Sequence, residues 1–201
     1  MKRFSRRSFH TFAIPAILRA APNREPAPAP IPLLHNNEFA DVFDPDVQEQ
    51  IRVKCFSRAM QAAAGFVVYT FTEIPPWNRA WVNWFRGLQG DSPGKQQYVQ
   101  FLKETYNYSI GDVNKAYGID STSFTDLGQF NWNAATLDAP KPRQDDEEFL
   151  GWIAQALFFT AAQAIRKADP TNLIQGQQLD ANCPKSVIEV STAALEAHNR
   201  P

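Results

Sequence analysis

The chain has 201 residues, 44% apolar, 12% aromatic and 20% charged, a composition that can bury a core and a length that excludes a large multidomain machine. Twenty basic against 21 acidic side chains leave a formal charge of -1, so electrostatics gives no reason to expect nucleic acid or an anionic membrane as the main partner. No apolar run approaches the roughly 20 residues that span a bilayer, and the pair Cys55 and Cys183 fits neither a disulfide scaffold nor a zinc knuckle.

Residues 1–24 carry Lys2, Arg3, Arg6, Arg7 and Arg19 with no acid before Glu25, and Thr11 to Leu18 is a short apolar stretch. This reads as a targeting segment. Ser5-Arg6-Arg7-Ser8-Phe9 resembles the twin-arginine export signal, which implies a chain exported to the periplasm or beyond it. An organellar presequence and a merely basic tail are the alternatives. Pro22, Pro26, Pro28, Pro30 and Pro32 then alternate with small residues, so 25–40 is expected as an extended, proline-rich linker that buries nothing.

The body is expected over 41–201. Asp44-Pro45 reads as an N-cap followed by proline at the first helical position, and Val47, Ile51, Cys55, Ala59 and Ala62 share one face until Gly65, which predicts a helix over 45–64. Phe66 to Thr72 is β-branched and aromatic and closes at Pro75-Pro76, which predicts a strand buried on both faces of a parallel sheet. Trp77, Trp81, Trp84, Phe85 and Leu88 repeat at helical spacing, Ser92-Pro93 opens another helix, and Ser109 caps a short one ending at Gly118. The stretch 120–144 is expected to be irregular.

Asp145, Asp146, Glu147 and Glu148 load the start of the longest helix with negative charge, and Arg166 and Lys167 sit at its end, which is how charge matches a helix dipole. Asp169-Pro170 terminates it, Leu173 to Leu179 reads as a second strand, and Val187, Val190, Ser191 and Ala194 predict a last helix. About two strands separated by long helical stretches make the fold class α/β with a parallel sheet. A complete eight-stranded barrel needs ~250 residues, more than this body supplies.

Phe43-Asp44-Pro45, Gly65 to Tyr69 leading into Thr72-Glu73-Ile74-Pro75-Pro76-Trp77, and Ser92-Pro93-Gly94-Lys95 through Tyr106 resemble the middle of barrel-fold glycoside hydrolases of the agarase and β-galactosidase type. Val113 to Gly118 with Ser123-Phe124, and Ala164 to Gly176, continue the resemblance in the same order over about 41–190. The resemblance implies a partial, incomplete (β/α)8-barrel fragment and a protein related to hydrolases of β-galactosides or agar-like glycans. In such enzymes two carboxylates flank the scissile bond at the C-terminal ends of strands. Glu73 stands where the family's acid/base residue follows the fourth strand. The nucleophile expected after the seventh strand has no counterpart, so the resemblance implies a truncated form, inactive alone, or else a noncatalytic carbohydrate-binding or structural remnant.

Each candidate has a plain structural reading beside the functional one. Glu73 is the catalytic candidate, though a loop acid facing water is equally ordinary. Trp77 is the aromatic best placed to meet a sugar ring, while helical spacing puts Trp81 and Trp84 in the core. Asp180 and Asn182 are the polar groups at the exit of the second strand, after Gln177-Gln178, two amides where the family tends to carry an ion-pairing Asp-Arg. His10, His35 and His198 are too scattered for a metal site or a hydrolase triad, and no cofactor is implied. The Asp145 to Glu148 acids are explained by the helix dipole without a cation. The expected partner is an oligo- or polysaccharide. An interrupted barrel also exposes two strand edges, which predicts self-association or a complementing polypeptide, and poor solubility alone.

Overall fold

The structure, a computed structural model, describes residues 25–132 and 140–199, so the expected targeting segment lies outside the described residues. The elements are β1 (Ala27–Pro32), α1 (Pro45–Ala62), β2 (Val67–Thr72), α2 (Arg79–Arg86), α3 (Pro93–Thr105), α4 (Ile110–Tyr117), α5 (Phe124–Gln129), α6 (Pro140–Ala168), β3 (Leu173–Gly176) and α7 (Lys185–Asn199). The three strands form one parallel sheet in the order β1-β2-β3. The parallel α/β reading holds, with one strand more than the sequence suggested.

That extra strand is the segment expected as a linker. Ala27 to Pro32 pairs residue for residue with Val67 to Thr72. Alternation explains it: Ala29 and Ile31 point into the core, while Pro28 and Pro30 are exposed. Proline has no N–H for a ladder but is tolerated at a sheet edge, and its fixed φ suits an extended chain. The Ala27 N–H donates to the Phe66 carbonyl and the Leu33 N–H to the Thr72 carbonyl, both at 3.0 Å.

The central strand is buried on one face only, which corrects the two-sided expectation. Tyr69 and Phe71 are buried towards the helical layer, where the Phe71 ring stacks on Phe158 of α6 at 5.9 Å and the Tyr69 hydroxyl oxygen lies 3.3 Å from the Ala59 carbonyl of α1. On the other face Val68 and Thr70 are half-buried, and Thr72, Leu173 and Gln175 are exposed. The core is therefore a single interface between the sheet and α1, α6 and α7, extended by the aromatic cluster of α2 and α3.

Local signals set most helix ends. Asp44 accepts from the Asp46 N–H at 2.7 Å ahead of Pro45, and Ser92 and Ser109 cap α3 and α4 through their hydroxyls. Gly118 takes φ 63° to end α4. The stretch expected to be irregular contains α5 and the first turn of α6. Because α6 begins at Pro140, Asp145 and Asp146 lie beyond its first turn, fully or almost fully buried at 0% and 3% exposure, and dipole matching does not account for them.

Asp145 accepts from the Tyr106 hydroxyl at 2.6 Å, the Tyr117 hydroxyl at 2.8 Å and Lys141 Nζ at 2.8 Å. Asp146 pairs with the buried Arg86 guanidinium and lies 2.8 Å from Arg79 Nε. Burial lifts the Asp146 carboxyl above the usual carboxylate range, with Arg86 and Arg79 opposing the lift. Buried charges in this position have to be paired to be tolerated, and both acids are, which fixes α6 against α2, α3 and α4. Glu147 and Glu148 remain exposed.

Candidate functional site

The C-terminal ends of β2 and β3 lie side by side, because the strands are parallel neighbours. Beyond β2 the chain turns sharply at Glu73, which takes φ 55°, a left-handed conformation that is costly for a residue with a Cβ. Ile74 and Pro75 then go into the core, and Asn78 caps α2 by accepting from the Ala80 N–H at 2.9 Å. At the end of β3, Gly176 takes φ 78°, a conformation that favours glycine, and a Cβ there would stand 3.3 Å from the Leu195 side chain of α7.

The two exits are tied together. Trp77 Nε1 donates to Gln177 Oε1 at 2.8 Å. Between them opens a cleft of about 370 Å³ lined by the apolar Ile74, Trp77 and Leu179, by the amides of Asn78, Gln177 and Asn182, and by Asp180. Its lining residues include one carboxylate, Asp180, and one thiol, Cys183. Burial and then the nearby Asp180 push the Cys183 thiol up to about 11, so it is protonated at neutral pH and is a weak nucleophile. Larger cavities exist, one of about 810 Å³ on the outside of α1 and α6, but they lie away from the strand ends.

Of the four residues proposed from sequence, three line this cleft: Trp77, Asp180 and Asn182. Trp77 does so by an edge. It is 9% exposed, its ring stacks on Trp81 at a centroid distance of 4.8 Å, and Phe158 meets it edge-on at 5.6 Å. The free aromatic platform imagined from sequence is thus mostly covered. Asp180 and Asn182 are exposed and joined locally, the Asn182 N–H donating to Asp180 Oδ1 at 2.8 Å.

Glu73 is the fourth, and it is not among the residues that line the cleft. It is exposed, and its Oε2 accepts from the Asn36 N–H at 3.2 Å, in the turn after β1. The carboxylate therefore leans towards β1 while the cleft opens towards β3. Asn36 and Asn37 also take positive φ, 49° and 57°. Sequence reasoning missed Asn36 because it fell in the supposed linker. It noticed Gln177 only as a departure from a family pattern, and the link to Trp77 spans 100 residues. Among the described residues no group of three or more His, Cys, Asp or Glu side chains is arranged to hold a metal.

Solved structures share this fold. PfGH50B matches with a TM-score of 0.73 at 16% identity, over 85% of this chain and 28% of that one. An exo-β-agarase matches with a TM-score of 0.67 at 17% identity over 77% and 22%, and the agarase AgWH50C with 0.70 at 18% over 84% and 27%. The chain has the fold of a segment of these agarases. It spans about a quarter of their length, and at this identity the likeness is one of fold. No family profile matches the chain, and no curated protein matches it. Within this fold, the cleft and Glu73 both sit at the C-terminal ends of the parallel strands. Among the described residues no helix is long and apolar enough to cross a membrane.

Proposed function

We propose that this chain is a glycoside-hydrolase-related segment that binds an agar-like or β-galactoside oligosaccharide at the exits of β2 and β3, and that it does not cleave glycosides by itself. One observation carries the reading: the amide-lined cleft and the Glu73 carboxylate face different neighbours, Gln177 on the β3 side and Asn36 on the β1 side. Amides offer both donors and acceptors to sugar hydroxyls, which suits binding. Glycoside cleavage needs two carboxyl groups across the bond, about 5 to 5.5 Å apart for retention and about 6.5 to 9.5 Å for inversion. The cleft supplies Asp180 alone.

The strained backbone at Glu73 favours a second reading, because residues held at costly φ cluster at working sites. In that reading Glu73 gives the proton of a site completed by another polypeptide. The basic segment with Arg6-Arg7 supports export of the chain in either case.

The test is a pair of assays on the full chain. Titration of agar-derived oligosaccharides, followed by tryptophan fluorescence, should saturate, and aryl β-galactosides should show no turnover. Turnover abolished by Glu73→Gln would overturn the binding reading in favour of catalysis. Absence of any saturable response would overturn both.

A further inference from the structure

The sequence left two open strand edges on the sheet, yet each margin carries its own block. In a parallel pair, alternate residues of a strand direct their N–H and C=O to the same neighbour. Ala27 and Leu33 donate to β2, so Ala29 and Ile31, in the same phase, face β2 as well. Residues 28, 30 and 32 face outwards, and all three are proline. The outer margin of β1 therefore offers carbonyls and no donors, and an incoming strand finds half of its ladder missing.

The margin of β3 is closed differently. Ile174 lies opposite Tyr69 and turns its own peptide groups away from β2. Asn199, at the end of α7, meets both of them: its Oδ1 accepts from the Ile174 N–H at 3.0 Å and its Nδ2 donates to the Ile174 carbonyl at 2.7 Å. One side-chain amide thus reproduces the pairing of a strand residue. Arg166 holds it there, donating to Asn199 Oδ1 at 2.6 Å, and also covers the Asn172 carbonyl at 2.6 Å.

We infer that the sheet is stopped at both margins, by prolines on β1 and by the Asn199 carboxamide on β3, and that the chain does not grow by strand addition to a second copy or to a complementing polypeptide. This replaces the expectation of association through exposed edges. Management of edges by proline and by a covering element is a known way for proteins to avoid edge-to-edge pairing.

Light scattering of the full chain at ten to a hundred micromolar, combined with amide infrared spectra, tests this. The wild type should be monomeric, without an intermolecular β band. Pro28→Thr with Pro30→Thr restores two outward donors and should give concentration-dependent dimers that carry that band. Asn199→Ala should do the same at the other margin. Wild-type association with an intermolecular β band would overturn the inference, as would variants that keep native near-ultraviolet dichroism and stay monomeric. If the variants do not fold, hydrogen exchange of the wild type decides: a slow Ile174 amide supports the Asn199 block, and an amide exchanging as fast as a free strand edge refutes it.

Discussion

The Tyr69 hydroxyl donates a 2.6 Å hydrogen bond to Asp169 Oδ2, joining the central strand to the turn that follows the longest helix. Asp169 is 1% exposed and gathers more donors: Asn172 Nδ2 at 2.7 Å, the Asn172 N–H at 3.1 Å, and the Thr171 N–H and hydroxyl at 3.0 Å each. The Asn172 amide in turn accepts from the Val67 N–H at 3.1 Å, at the start of β2. One carboxylate thus aligns the starts of two neighbouring strands.

Burial raises the Asp169 carboxyl, but the hydrogen bonds from Tyr69, Asn172 and Thr171 outweigh it and hold the group well below its ordinary value near 3.8. A depressed acid contributes stability above its unfolded value, and that stability drains away as pH falls through the folded value. Asp169→Asn should therefore cost about 2 to 4 kcal/mol at neutral pH. It should also flatten the loss of stability between pH 4 and more acidic conditions. Urea midpoints of both proteins at pH 7 and below pH 4 check this; parallel pH profiles would refute it.

Lys95 predicts a dependence of the same sign in a separate, alkaline window. Its side chain is 2% exposed and donates to the Arg86 carbonyl, which places a cation on the last turn of α2, where the dipole favours it. Burial, and then the adjacent Arg86, still lower the ammonium to about 8 from 10.5. Between those values the unfolded chain holds a proton that the folded chain has released, so stability rises with pH. From pH 7.5 to 9.5 the gain should be on the order of 1 to 3 kcal/mol, at ~1.4 kcal/mol per unit. Lys95→Met should remove it. Chemical denaturation of the two proteins across that window is the measurement.

Glu73 carries backbone strain at φ 55°. Glycine relieves a cost of roughly 1 to 2 kcal/mol at such a position and gives back about 0.5 to 1 in chain entropy. Glu73→Gly should thus raise the thermal midpoint slightly, while Glu73→Gln leaves it within about 0.5 kcal/mol of the wild type. A destabilised glycine variant would mean that the bond to Asn36 outweighs the strain.

Gln177→Ala leaves the Trp77 indole N–H without its partner. A loss of about 1 to 2 kcal/mol is expected, together with a shift in tryptophan emission and weaker oligosaccharide binding. Unchanged binding in a folded Gln177→Ala protein would remove the cleft as the glycan site.

The helices and the central strand were readable in the sequence because their signals are local: Asp44 before Pro45, Ser92 and Ser109 as caps, and the β-branched and aromatic run from Phe66 to Thr72. β1 was not, since alternating prolines usually argue against a strand, and only the pairing with Val67 to Thr72 shows that every proline falls where no donor is needed. The acids at 145 and 146 read as dipole partners because Pro140 and Pro142 suggest an irregular stretch, whereas in the structure these prolines form the first turn of α6. Three of the four candidate site residues share one cleft, but the side on which Glu73 falls depends on Asn36, in a turn that sequence had assigned to a tether.

The sheet is supported on one side only: Ala29, Ile31, Tyr69, Phe71 and Ile174 all dip into the helical layer, while Leu173 and Gln175 look outwards. Among the described residues such a platform has no second layer. Once α1 or α6 lifts away, the strands lose the layer their side chains pack on, so loss of helical signal and release of the strand amides should occur in one cooperative step.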